Sequence, residues 1–167
     1  MLCLLPAWAA AQGVRLERDY EEGEKTWKEI EAQIPPYPKA ENLIPFEIAA
    51  SGHQFFIDAP SVSVGDDGVV RYTLLVKTAG GAVNVSFEGM RCETQEQKYY
   101  AIGHAGGAWS RARDPQWRRI DLKESSRQHG LLYVDYFCTG KVPVKNARNA
   151  IDALKYGPTS LRFQIGR

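Results

Sequence analysis

Between His53 and Gly103 the chain repeats one arrangement: an apolar run, a turn too short to hold a helix, then another apolar run. Phe55, Phe56 and Ile57 make a compact strand, and Val62 and Val64 alternate with Ser61 and Ser63. Gly65-Asp66-Asp67-Gly68 supplies hairpin chemistry before Val69 to Thr78 returns as a long strand. Ala79-Gly80-Gly81 turns the chain again into Val83-Asn84-Val85-Ser86-Phe87-Glu88-Gly89-Met90-Arg91-Cys92, and Gln97 to Gly103 follows. Parallel neighbours need a crossover of about a dozen residues or more, which these connections do not contain. The pattern therefore predicts an antiparallel meander.

The elements on either side extend this frame. Phe46-Glu47-Ile48 is expected to open the strand-rich region, and Trp117 to Leu122 to close it after Asp114-Pro115. Ser125 or Ser126 is placed to cap a helix running to Cys138, with Leu132, Tyr133, Tyr136 and Phe137 at helical spacing. Pro143 suits the first turn of a second helix, along which Val144, Ala147, Ile151 and Leu154 form a stripe, and Gly157-Pro158 stops it. Leu161, Phe163 and Ile165 alternate in the tail like an edge strand. The expected fold class is α+β: a curved antiparallel β-sheet (meander) with two C-terminal helices and an extended Pro-rich N-terminal arm. That arm is Ile34-Pro35-Pro36-Tyr37-Pro38, since prolines lack the amide donor and restrict their predecessors. Ahead of it, Val14 to Ile34 is acidic and helix-prone, with Trp27, Ile30 and Ile34 spaced by three and four.

Met1-Leu2-Cys3-Leu4-Leu5-Pro6-Ala7-Trp8-Ala9-Ala10-Ala11 reads as the remnant of a secretory signal, apolar and closing on small residues but without a basic start. It is too short to span a bilayer. The chain thus divides into 1–11 as signal remnant, 12–45 as acidic helical segment and Pro-rich arm, and 46–167 as a single α+β domain. Removal of the signal takes Cys3 with it and leaves Cys92 and Cys138, an even number suited to an oxidising compartment. We expect a disulfide between them; the alternative is two buried thiols in a cytoplasmic protein. Closing a loop of 46 residues stabilises by about 4 kcal/mol on a chain-entropy argument.

At 44 % hydrophobic and 25 % charged over 167 residues, the chain has enough apolar content for one cored domain and is not disordered. Residues 1–90 carry 7 basic and 13 acidic side chains, whereas residues 91–167 carry 14 and 7, so a near-neutral total hides a basic C-terminal half. Its densest part is Trp109-Ser110-Arg111-Ala112-Arg113-Asp114-Pro115-Gln116-Trp117-Arg118-Arg119. Arginine forks match anionic oxygens and indoles stack, so Trp109, Arg111, Arg113, Trp117 and Arg119 form a candidate binding surface for an anionic envelope component or acidic partner. On a strand, Trp109, Arg111 and Arg113 would share one face. The plainer reading buries the indoles and solvates the arginines. Nucleic acid is a poor partner for an exported chain.

Catalytic and metal patterns are missing from the sequence. His53, His104 and His129 show no metal spacing, no Cys-x-x-Cys accompanies them, and no Gly-x-Ser-x-Gly elbow occurs. A disulfide would consume the thiolate that cysteine catalysis needs. Gly103-His104-Ala105-Gly106-Gly107 lacks the Lys-Ser/Thr of a phosphate loop and reads as a turn. Asp66-Asp67 is likewise expected to be an exposed hairpin tip and not an acid/base pair. We assign no catalytic residue, no metal and no cofactor.

Trp27-Lys28-Glu29, Pro35-Pro36-Tyr37-Pro38, Val64 to Tyr72, Phe87 to Cys92, Tyr100-Ala101-Ile102-Gly103 and Tyr136-Phe137-Cys138 occur in that order. As a set they resemble the CNP-one-like (cryptic neisserial protein-like) family of betaproteobacterial exported proteins, over roughly residues 20–157. Cys92 and Cys138 match that family's pair. The resemblance implies a Gram-negative envelope location, periplasmic once the signal is cleaved and not integral to the membrane. It brings no established activity. The sequence therefore points to a non-enzymatic binding or interaction module, with an envelope hydrolase or transferase using Asp58, Arg71, Glu88 or His104 as the rival.

Overall fold

The structure is a computed structural model that describes residues 26–123 and 127–158. The signal reading, residues 14–25 of the expected first helix, the cap at Ser125 or Ser126 and the alternating tail lie outside the described residues.

Strands β1 (Leu43–Phe46), β2 (Gln54–Val64), β3 (Val69–Lys77), β4 (Val83–Arg91), β5 (Glu96–Gly103) and β6 (Trp109–Arg111) pair in chain order, every pair antiparallel. A two-residue β7 (Arg118–Arg119) pairs with the far end of β5, making an open seven-stranded sheet. Helix α1 (Arg127–Leu131) widens directly into a π-helical turn over Leu132–Phe137. The hairpin β8 (Cys138–Thr139) and β9 (Val142–Pro143) leads to α2 (Ala147–Tyr156). This is the expected α+β meander with two C-terminal helices.

Four local expectations are corrected. The helical spacing of Trp27, Ile30 and Ile34 is not used: residues 26–39 form no helix. The opening strand is Leu43–Phe46, three residues earlier than Phe46-Glu47-Ile48 suggested. Only Arg118–Arg119 pairs within the strand expected over Trp117 to Leu122. Pro143 sits in β9 opposite Cys138, so α2 starts later, capped by the Asn146 side chain accepting from Asn149 N at 3.0 Å. In addition, the two runs read separately on either side of Pro60 are one strand, β2, whose pairing with β3 jumps from Asp58↔Thr73 to Ser63↔Arg71. Proline cannot donate to a ladder, and a bulge accommodates it.

Alternation gives the sheet two faces. One carries Ile57, Val70, Tyr72, Leu74 and Met90, which pack against Leu132, Phe137, Ala150 and Leu154 of the helical layer. At its centre the Phe137 ring lies 4.9 Å from that of Tyr72. Cys92 and Cys138 are joined there, with an S–S distance of 2.02 Å. The Tyr133 hydroxyl donates to Cys92 O at 3.1 Å, so Cys92, just past β4, holds both the π-helical turn and the residue that follows it. The arm, residues 26–39, lies on the opposite face.

Candidate functional site

Two groups of polar side chains are built by this arrangement, one on each face of the sheet. The arm face is organised around carboxylates. Asp67, expected at an exposed tip, has a fully buried side chain, because the arm passes over the β2–β3 turn. Its Oδ2 accepts from Ile30 N at 2.8 Å and from Arg71 Nη2 at 2.6 Å. Its Oδ1 accepts from Val69 N and Arg71 Nη1, both at 3.2 Å. Burial alone would raise the Asp67 pKa, but the guanidinium and the two backbone amides outweigh it and hold the group below the usual carboxylate range. The Trp27 indole donates to Asp67 O at 2.8 Å and lies under the Arg91 guanidinium, 3.9 Å from the ring centre.

Glu29 repeats this farther along the arm. It accepts from Lys98 Nζ at 2.8 Å, the Tyr100 hydroxyl at 2.8 Å and Trp117 Nε1 at 3.2 Å. These donors overcome the effect of partial burial and lower its pKa. Tyr100 reaches Glu29 by lying across Gly89, where an added Cβ would stand 2.5 Å from its hydroxyl oxygen. Any side chain at 89 would push the ring away. Tyr37 finishes the crossing, donating to His104 O at 3.0 Å and laying its ring, tilted, 5.3 Å from that of Trp109.

The five residues of the candidate surface divide accordingly. Trp117 stacks edge-on against Trp27 at 6.0 Å, and Trp109 is half-buried under Tyr37, so both indoles face the arm. Arg111, Arg113 and Arg119 are exposed and have no carboxylate partner among the described residues, whereas neighbouring Arg118 pairs with Asp114 at 3.3 Å. β6 ends at Arg111, so Arg113 stands in the following loop and does not continue a strand face. Glu29, Ile34, Lys98, Tyr100, Arg111 and Pro115 line a cleft of about 320 Å³ where arm and loop meet.

On the opposite face Glu88 is fully buried in the middle of β4. Its Oε2 accepts from the Tyr72 hydroxyl at 3.0 Å and lies 2.7 Å from His129 Nε2; its Oε1 accepts from Ser86 Oγ at 2.6 Å. Burial pulls the His129 pKa down, but the adjoining carboxylate more than reverses this and raises it, which favours the imidazolium form in this buried pair. Burial first, then Glu88, pushes the Tyr72 phenol well above its ordinary pKa and keeps it a donor. Neither His129 nor its bond to Glu88 was foreseen. The available signal was a lone glutamate inside an apolar central strand, since such a charge is buried only with partners.

The rival residues do not assemble. Asp58, Arg71, Glu88 and His104 make no hydrogen bond to one another; His104 instead meets Ser110 Oγ at 2.8 Å in the β5–β6 turn. Among the described residues no group of three His, Cys, Asp or Glu is placed to hold a metal ion. Within the same residues no helix is long and apolar enough to cross a membrane. The disulfide between Cys92 and Cys138 fits an exported protein.

No solved structure matches the chain. It is 25 % identical to "Cryptic neisserial protein 1" of Neisseria gonorrhoeae (strain ATCC 700825 / FA 1090), an alignment covering 76 % of this chain and 71 % of that protein. The model of the CNP1-like family matches residues 22–155, a span that takes in the described part of the arm, both disulfide cysteines and Glu88 with His129. The chain belongs to the CNP1-like family.

Proposed function

We propose that the protein is a non-enzymatic binding module of the Gram-negative periplasm that offers Arg111, Arg113 and Arg119 to an anionic partner in the cell envelope. The observation that carries this reading is a contrast in how ionisable groups are used. The carboxylates of Asp67, Glu29 and Glu88 are each held by three or more protein donors, counting both nitrogens of Arg71 on Asp67. Groups so engaged fasten the arm and helix α1 to the sheet and have little capacity left for acid/base chemistry. The three arginines are exposed and stand on a segment pinned by two inward indoles. Cations held on a rigid support lose less entropy on binding, and guanidinium groups match carboxylate or phosphate oxygens in pairs.

The rival reading, an envelope hydrolase or transferase, draws its support from Ser86, Glu88 and His129 standing together. The imidazole Nε2 is directed at Glu88, however, and Ser86 gives its proton to the same carboxylate. Crosslinking in intact cells followed by mass spectrometry tests the proposal. Arg111→Glu with Arg119→Glu should melt like the wild type and lose at least tenfold in recovery of the crosslinked partner. Unchanged recovery in a folded double variant removes this surface.

A further inference from the structure

The face that carries Glu88 is not fully covered by the helical layer. Three cross-strand rows run along it by register: Tyr72–Glu88–Tyr99, Leu74–Ser86–Ile102 and Val76–Asn84. The His129 end of α1 closes over the first row. The second and third line an open cleft of about 500 Å³, to which Gln128 and His53 also contribute. That volume lies within the range of small-ligand sites, which combine apolar walls with a few convergent polar groups. Leu74, Val76 and Ile102 supply the walls here, and Ile102 remains 40 % exposed at the mouth.

We infer that this cleft is a second binding site, separate from the arginines, for a neutral small molecule with an apolar body and one N–H or O–H donor. The polar end sets the head group. Ser86 spends its proton on Glu88 Oε1, which leaves the hydroxyl oxygen as an acceptor on the cleft wall. Glu88 itself is fully buried behind that hydroxyl, so Ser86 is the polar atom a ligand meets. That oxygen calls for a donor. An anionic head is disfavoured beside Glu88, as among the described residues no lysine or arginine lines the cleft to offset it. A cationic head gains little, since the fully buried carboxylate offers it no direct contact.

N-phenyl-1-naphthylamine is a suitable probe, being a neutral aromatic molecule with a single N–H that brightens in apolar surroundings. Titrated into the oxidised full chain, it should give a saturable rise at one probe per protein. Ile102→Glu places a charge at the exposed mouth and should weaken binding at least tenfold with the melting temperature unchanged. Ser86→Ala should weaken it about three- to tenfold, the effect of one hydrogen bond, and decides the matter if the glutamate variant is unfolded. A signal that does not saturate, or one that the folded variants leave intact, overturns the inference. Either result is independent of the arginine surface on the other face.

Discussion

Replacing His129 by alanine gives a stability change with a defined size and pH dependence. The His129 side chain is 3 % exposed, and its partner Glu88 is fully buried 2.7 Å away. Removing one member of a buried ion pair typically costs about 3–5 kcal/mol, because the other charge stays behind without its counterpart. Tyr72 and Ser86 still donate to Glu88 in the variant, which favours the lower end, about 3 kcal/mol. For a domain of this size that corresponds to roughly 6–12 °C in melting temperature. The sign with pH follows from linkage. His129 has a higher pKa folded than unfolded, so its contribution is complete below the unfolded value of 6.5 and is lost as pH rises through the folded one. Urea titrations of the oxidised protein, followed by tryptophan fluorescence, should show the largest gap between wild type and His129→Ala near pH 6. The gap should narrow steadily in alkaline buffer. A gap of under about 1 kcal/mol near pH 6, or one equal at pH 6 and pH 9, would refute the ion-pair account.

Two further perturbations address the other fastenings. Arg71→Met leaves the buried Asp67 without its cation and should cost about 3–5 kcal/mol. Hydrogen exchange should then speed up at Ile30 N, which shares that carboxylate, and unchanged protection there would show the arm to be held by other contacts. Cys138→Ala should lower stability by about 4 kcal/mol from loop closure alone and sharply raise protease sensitivity; equal melting of the wild type with and without reductant would contradict this.

What could be read from the sequence was what depends on neighbours along the chain. Alternation in Val69 to Thr78 and Val83 to Cys92 carries its own strand signal, and Gly65 to Gly68 its own turn, so the meander was legible without tertiary knowledge. The arm was half legible. Pro35, Pro36 and Pro38 forbid helix outright, but Trp27, Ile30 and Ile34 satisfy helical spacing without forming a helix, because the sheet supplies partners for the first two: Trp117 and Arg91 for Trp27, and Asp67 for Ile30. That same docking turns Asp67 from a solvated tip residue into a buried anchor. The Glu88–His129 bond joins residues 41 apart and depends on the β4 register and on the position of α1, neither of which leaves a local trace. The two tryptophans of the basic stretch are a similar case, since their inward packing is set by an arm some 80 residues earlier; Trp117 and Glu29 are 88 apart.

The account as a whole requires that Cys92 and Cys138 be oxidised in the living cell, outside the reducing cytoplasm. Acid-quenching intact cells and treating the denatured protein with a mass-tagged maleimide measures this directly. Neither cysteine should take the tag before reduction and both should take it afterwards. Tagging of both without reductant in the mature protein would contradict the exported, disulfide-tied module described above.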